Sequence, residues 1–200
     1  NIVDIDLNKE RLMPLKNKKI VISGGPGSGK TTLIDLLNKN GFDCIEELSR
    51  GIIQNAREEG EDNFFTSQPI IFSEQVWQGR RRQYETANSK SCNHQKPYIF
   101  FDRGLHDVVA YLECLAISYD PNRFDLTKYN YDLALLLPPW KAIYTTDNER
   151  KESFEEAEKL YFYIKKTYQN QRIPIIEIPF QSPEARISTL LQYLDHGKNA

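Results

Sequence analysis

At 200 residues the chain suits one domain, since compact domains hold roughly 100 to 200 residues around a single core. Its composition, 40% hydrophobic and 27% charged, is that of an ordinary globular protein, and no run approaches the roughly 18 apolar residues that a bilayer-spanning helix needs. A net charge of −2 argues against a broad electrostatic surface for nucleic acid, and three widely spaced cysteines, Cys44, Cys92 and Cys114, argue against a disulfide framework or a zinc site.

Residues 1–17 read as a charged arm broken by Pro14, without the apolar core of a secretory signal, so a cytoplasmic protein is expected. Lys18–Gly24 (KKIVISG) is a short β-branched run bounded by glycine, which predicts a central strand buried on both faces. After a glycine-rich stretch, Leu33, Ile34, Leu36 and Leu37 fall at helical spacing, and Asn40-Gly41 supplies the stop. A short strand is expected near 43–48, then helical material to about residue 88. The run Arg80, Arg81, Arg82 within it reads as a solvated helix face.

Residues 97–102 (PYIFFD) predict another buried strand, followed by a helical stripe of Val108, Val109, Leu112, Leu115 and Ala116. Leu133–Leu137 predicts a fourth strand, ended by Pro138-Pro139. Ser153 with Glu156 fits a capping box for a helix whose Phe154, Ala157, Leu160, Tyr161, Ile164 and Tyr168 share one face. Residues 173–178 predict a fifth strand, and Ser182-Pro183 opens a last helix with the stripe Ile187, Leu190, Leu191 and Leu194. Alternating strands and helices imply an α/β three-layer sandwich, a mostly parallel five-stranded sheet with helices on both faces.

The chemistry concentrates at Gly24-Gly25-Pro26-Gly27-Ser28-Gly29-Lys30-Thr31, which matches G-x-x-x-x-G-K-[ST] between an apolar strand and a helix start. Gly25, Pro26, Gly27, Ser28 and Gly29 are expected to curl so that successive N–H groups face phosphate oxygens, with the helix N-terminus adding positive potential. Lys30 is placed for the β- and γ-phosphates, Thr32 for the α-phosphate, and the Thr31 hydroxyl for Mg²⁺, an ion that prefers oxygen donors. Asp102, closing the third strand, fits a second Mg²⁺ ligand, although an aspartate there can also cap the next helix. The three histidines, His94, His106 and His196, are too scattered to ligate a transition metal; His106 at the helix start can face a pocket or be solvated or hydrogen-bonded beside Asp107.

With residues 24–32 and Phe101-Asp102-Arg103-Gly104, the chain resembles the P-loop kinase superfamily of nucleoside and thymidylate kinases. It is similar more closely to a family of AAA-like P-loop ATPases that resemble the nicotinamide riboside kinase domain of bacterial NAD regulators. Four segments carry that likeness: the P-loop, Glu47-Leu48-Ser49-Arg50, the Asp102-Arg103 stretch with Asp107 and Tyr111, and residues 144–157 (YTTDNERKESFEEA), the similarity running on to Arg186. The resemblance implies one domain over 18–200 with a lid near 145–170. Glu47 is then the base for an acceptor hydroxyl, with neighbouring Glu46 as the second candidate and a helix-capping glutamate as the alternative reading, and Arg50 and Arg103 are aimed at substrate or phosphate. Arg150, before Lys151, would be the lid cation at the transferring phosphoryl group.

Two functions use this phosphate site. One is a kinase for a nucleoside, nucleotide or related metabolite, with Mg²⁺ and ATP as phosphate donor; the other is an NTPase switch with water as acceptor. An acceptor pocket beside the γ-phosphate is what separates them. The sequence leaves the acceptor, the choice of ATP or GTP and the oligomeric state open.

Overall fold

The computed structural model describes residues 17–25, 27–89, 96–144 and 153–196. Strand β1 (Lys18–Gly24) runs through the sheet centre, and helix α1 (Lys30–Lys39) follows it, stopping where Gly41 takes φ +75°. Strand β2 (Asp43–Ile45) is shorter than the sequence suggests. The reason is local: the Glu47 carboxylate accepts the N–H groups of Leu48 and Ser49, both at 3.0 Å, which turns the chain into helix α2 (Ser49–Glu58).

Helices α3 (Phe64–Ser67) and α4 (Pro69–Ser89) precede strand β3 (Tyr98–Asp102), which leads into α5 (Leu105–Cys114). Strand β4 (Leu133–Leu137) is followed by α6 (Phe154–Asn170), β5 (Ile175–Glu177) and α7 (Pro183–His196). The sheet order is β2-β3-β1-β4-β5, and every neighbouring pair is parallel, so the expectation of a mostly parallel sheet sharpens to a wholly parallel one.

Side-chain alternation along the strands splits the interior into two cores. Val21, Ile99, Phe101, Ala134 and Leu136 face α4, α5 and α6, where Trp77, Tyr84, Leu112, Ile164 and Tyr168 close the layer. Ile20, Ile22, Phe100, Leu135 and Leu137 face Leu33 and Leu37 of α1 and Ile187, Leu190 and Leu194 of α7. Because both faces are covered, the strands are continuous apolar runs rather than alternating ones.

The Ser153–Glu156 capping box is present: Ser153 Oγ accepts the Glu156 N–H at 3.2 Å, and Glu156 Oε2 accepts the Ser153 N–H at 2.7 Å. The stretch expected as a lid divides here. Residues 145–152 lie outside the described residues, whereas α6 buries Ala157, Ile164, Thr167 and Tyr168. No helix among the described residues is long and apolar enough to cross a membrane.

Candidate nucleotide and acceptor site

The parallel register of β1 and β3 sets Ile22 opposite Asp102, so the loop leaving β1 and the carboxylate ending β3 arrive together at the C-terminal edge of the sheet. Gly29 is the N-cap of α1 at φ +81°, and Gly27 takes φ +69° against the Tyr144 ring, where a Cβ would come within 2.5 Å of Cδ2. Both positions need glycine for conformation and for space. No acidic residue occupies the first turn of α1, so the helix N-terminus offers its N–H groups and partial positive charge without competition. Ser28 is buried and its Oγ has no hydrogen-bond partner. Pro26 lies outside the described residues, and Thr31 and Thr32 are exposed at the start of α1.

Lys30 and Asp102 form an ion pair in which each side chain is 11% exposed. Burial, joined by the Arg103 charge, pushes the Lys30 ammonium below its usual range while Asp102 pulls it back up. Asp102 does not cap α5. That task falls to Asp107, whose Oδ2 accepts the Gly104 N–H at 2.9 Å.

A second network stands beside the first. Arg103 adopts φ +67°, an uncommon left-handed conformation for a residue with a side chain, and its Nε donates to Glu47 Oε2 at 2.8 Å. Arg80 of α4 donates to Glu47 Oε1 at 3.0 Å and to the Gly104 carbonyl at 2.9 Å. Burial opposes ionisation of Glu47, yet the Arg80 and Arg103 guanidinium groups and the Ser49 N–H outweigh it and hold the carboxyl far below the usual carboxylate range.

Behind these groups, Asp107 also accepts from the Ser23 hydroxyl and, at 2.7 Å, from the Tyr168 hydroxyl. His106 is neither solvated nor hydrogen-bonded. It is fully buried, its ring stacks on Tyr168 at 4.8 Å, neither nitrogen has a partner, and burial lowers its pKa to about 4.

The sequence-expected residues Lys30, Glu47, Asp102 and Arg103 therefore converge. Arg50 does not join them: it is exposed on α2 and makes no ion pair among the described residues. Arg150 and Lys151 lie outside the described residues. Two residues that sequence reasoning passed over belong to the site.

Arg80, expected on a solvated face, is 5% exposed and completes the Glu47 network. Its signal was periodic, because Ser73, Val76, Trp77, Arg80, Tyr84 and Ala87 make one buried stripe of α4. Arg186 of α7 donates to the Ser28 carbonyl at 2.8 Å and braces the P-loop from behind; only its place at the end of the family-like region hinted at this.

A cavity of about 490 Å³ opens from Arg103, Arg80 and Asp107 between Phe72 and Tyr111 on one side and Leu160 and Ile164 of α6 on the other. The Ser73 hydroxyl, on the cavity wall, is buried without a hydrogen-bond partner. A larger open groove of about 640 Å³, lined by Leu48, Ile52, Trp77 and Phe124, includes neither Lys30 nor Arg103.

A wholly parallel sheet with a glycine-rich loop from its central strand to α1, and a lysine-aspartate pair at the strand ends, defines a P-loop NTPase fold of the kinase-like type. A family model described as an AAA domain matches residues 19–186, and the chain belongs to this AAA domain family.

Among solved structures, the chain is similar to a deoxyadenosine kinase from M. mycoides at a TM-score of 0.62 and 17% identity, covering 89% of this chain and 99% of that one. A thymidylate kinase from Candida albicans aligns at a TM-score of 0.57 and 18% identity over 92% of this chain and 93% of that one. The NadR protein, in a complex with NAD and AMP-PNP, aligns at 0.62 and 16% identity over 86% of this chain and 48% of that one. At these identities the likeness is one of fold.

Among curated proteins, a nucleotide-binding protein of Pseudomonas savastanoi pv. phaseolicola (strain 1448A / Race 6) is 35% identical over 54 residues, 27% of this chain and 19% of the relative. A nucleotide-binding protein of Pseudomonas putida (strain GB-1) is 42% identical over 52 residues, 26% of this chain and 18% of the relative. The match thus spans less than a fifth of the length of either relative.

Proposed function

We propose that the protein is a Mg²⁺-dependent phosphotransferase that moves the γ-phosphate of ATP to a hydroxyl of a small molecule seated in the Arg80–Arg103 cavity. The supporting observation is that cavity, which a kinase must have and a hydrolytic switch need not. It adjoins the Glu47–Arg103 pair, and Arg103 directly follows the Asp102 that meets Lys30.

The donor set fits Mg²⁺, because the Thr31 hydroxyl and the Asp102 carboxylate are hard oxygens and this ion needs only one or two protein ligands beside water and phosphate. When bound, the ion neutralises charge on the β- and γ-phosphates. Lys30 exchanges Asp102 for phosphate oxygens, and the backbone N–H groups of the loop, Pro26 having none, and of the first turn of α1 hold the remainder of the polyphosphate. Arg103 faces charge developing on the transferred group, and Arg150, outside the described residues, is the lid cation that the resemblance implies there.

Glu47 orients the acceptor hydroxyl and receives its proton. A carboxylate whose pKa is so depressed is a weak base, which suffices when phosphoryl transfer passes through a loose transition state. Asp107, which also lines the cavity, helps position Arg103 through the ion pair between them.

The test is transfer from γ-labelled ATP with Mg²⁺ across nucleosides, nucleotides and pyridine ribosides, using wild type, Lys30→Ala and Glu47→Gln. A labelled metabolite formed by wild type and lost by about 100-fold or more in Lys30→Ala is the expected result. Lys30-dependent release of free phosphate without any labelled acceptor would replace the kinase by an ATP-hydrolysing switch.

A further inference from the structure

The groove of about 640 Å³ beside α4 lies outside the phosphate site, and two features of the sequence that the site leaves unused, the arm before β1 and the exposed end of the run Arg80-Arg81-Arg82, both lead to it. Its floor is apolar, built from Leu48 and Ile52 of α2, Ile71 and Trp77 of α4, and Phe124. Ile71 is 47% exposed, so the groove keeps apolar surface in contact with water. Its wall is continuous with the Glu47–Arg80 ion pair, because Leu48 directly follows Glu47 and Gly79 directly precedes Arg80. A Cβ on Gly79 would stand 2.9 Å from Leu48 Cδ2, so α2 and α4 touch there.

The rim of the groove is basic. Arg82, which lines it, is exposed and makes no ion pair among the described residues. Arg123 pairs with Glu74 at 2.7 Å through Nη1, and its side chain is 61% exposed, which leaves the other N–H groups of its guanidinium for a second acceptor. Such a groove is complementary to a segment that interleaves apolar side chains with carboxylates.

The chain carries a segment of that kind ahead of β1. Residues 2–7 read Ile2-Val3-Asp4-Ile5-Asp6-Leu7, four apolar residues interleaved with two aspartates. They are within reach. Lys19 Nζ donates to the Tyr84 hydroxyl at 2.7 Å and to Asn88 Oδ1 at 2.9 Å, so β1 begins against the last turns of α4. Trp77 precedes Tyr84 by about two turns, roughly 10 Å along the same helix, whereas residues 8–17 span up to about 33 Å when extended. Tethering at this distance gives a local concentration on the order of millimolar, so contacts too weak to hold a free peptide suffice.

We propose that residues 2–7 dock in the α2–α4 groove of their own chain, with the apolar side chains around Ile5 on Leu48, Ile52, Ile71 and Trp77 and with Asp4 and Asp6 against Arg82 and Arg123. This docking is independent of the reaction at the phosphate site.

The experiment is photo-cross-linking of the full chain carrying Ile5→p-benzoylphenylalanine, with the products separated by size and the linked peptides mapped by mass spectrometry. The expected result is a cross-link within one chain to peptides holding residues 48–52, 71–82 or 123–124. Arg82→Glu, a change at an exposed side chain, is expected to lower its yield about threefold, and adding Asp4→Lys and Asp6→Lys is expected to restore it. Restoration by charge reversal separates lost pairing from lost folding. Cross-links to other surfaces of the domain would overturn the docking, as would a yield indifferent to Arg82→Glu or a loss that the reversal leaves in place. Cross-links that join two chains would give the groove to the arm of a second copy and overturn docking within the chain.

Discussion

Glu47 shows how one residue can be readable in kind and unreadable in circumstance. The sequence offers either a base or a helix-capping glutamate, and the structure has it accept two N–H groups at the start of α2 while pairing with two arginines. Removing one arginine leaves a buried carboxylate under-compensated, so Arg80→Met should lower unfolding free energy by about 3 kcal/mol in urea titrations.

His106 gives a second prediction at this scale. Its folded pKa of about 4 lies below the ordinary 6.5, so the unfolded chain takes up the proton first as the pH falls. Its contribution is complete above the unfolded value and is lost progressively between 6.5 and about 4. Between about pH 7 and about pH 5 wild type should therefore lose about 2 kcal/mol that His106→Phe, a ring of similar shape, does not lose, as read from denaturant midpoints at both pH values.

At the scale of the element, α6 was visible in sequence from its capping box and apolar stripe, but its task was not. Its Tyr168 hydroxyl reaches Asp107, and a Cβ on Gly25 would approach the Ala157 carbonyl at 3.2 Å, so the helix supports both the Asp107 cluster and the P-loop. Ser153→Ala should cost about 1 kcal/mol and speed amide exchange in the first turn of α6, with strand amides unchanged. A comparable gap separates α4 as expected from α4 as found. The residue run Arg80-Arg81-Arg82 signals a charged surface, whereas the 3.6-residue period turns Arg80 inward with Val76, Trp77 and Tyr84 and leaves Arg82 exposed.

For the whole molecule, the fold brings the C-terminal ends of β1, β2 and β3 together, so binding there is expected to stabilise the entire domain rather than one loop. Mg²⁺·ATP at about 100 times its Kd should add about 2.7 kcal/mol and raise Tm by roughly 5 to 10 °C, measured by differential scanning calorimetry. Lys30→Ala should abolish that shift, and because it leaves the Asp102 carboxylate, itself 11% exposed, without its cation, the unliganded Tm should fall as well. A shift that survives in Lys30→Ala would place the nucleotide elsewhere.

The amino-acid sequence by itself determined the strand-loop-helix at the phosphate site, the β-branched and leucine runs of the central strands, the α6 cap and the final helix. Each of these follows from neighbours within a few residues: glycine conformations, apolar period and a capping side chain. Only the tertiary structure decided that Arg80, not Arg50, meets Glu47 and that Asp107 rather than Asp102 caps α5. It also decided that Arg186, 158 residues from Ser28 along the chain, braces the P-loop. Those choices depend on which side chains share a buried space, where an unpaired charge is costly, and that is settled by the packing of helices on the sheet rather than by local pattern.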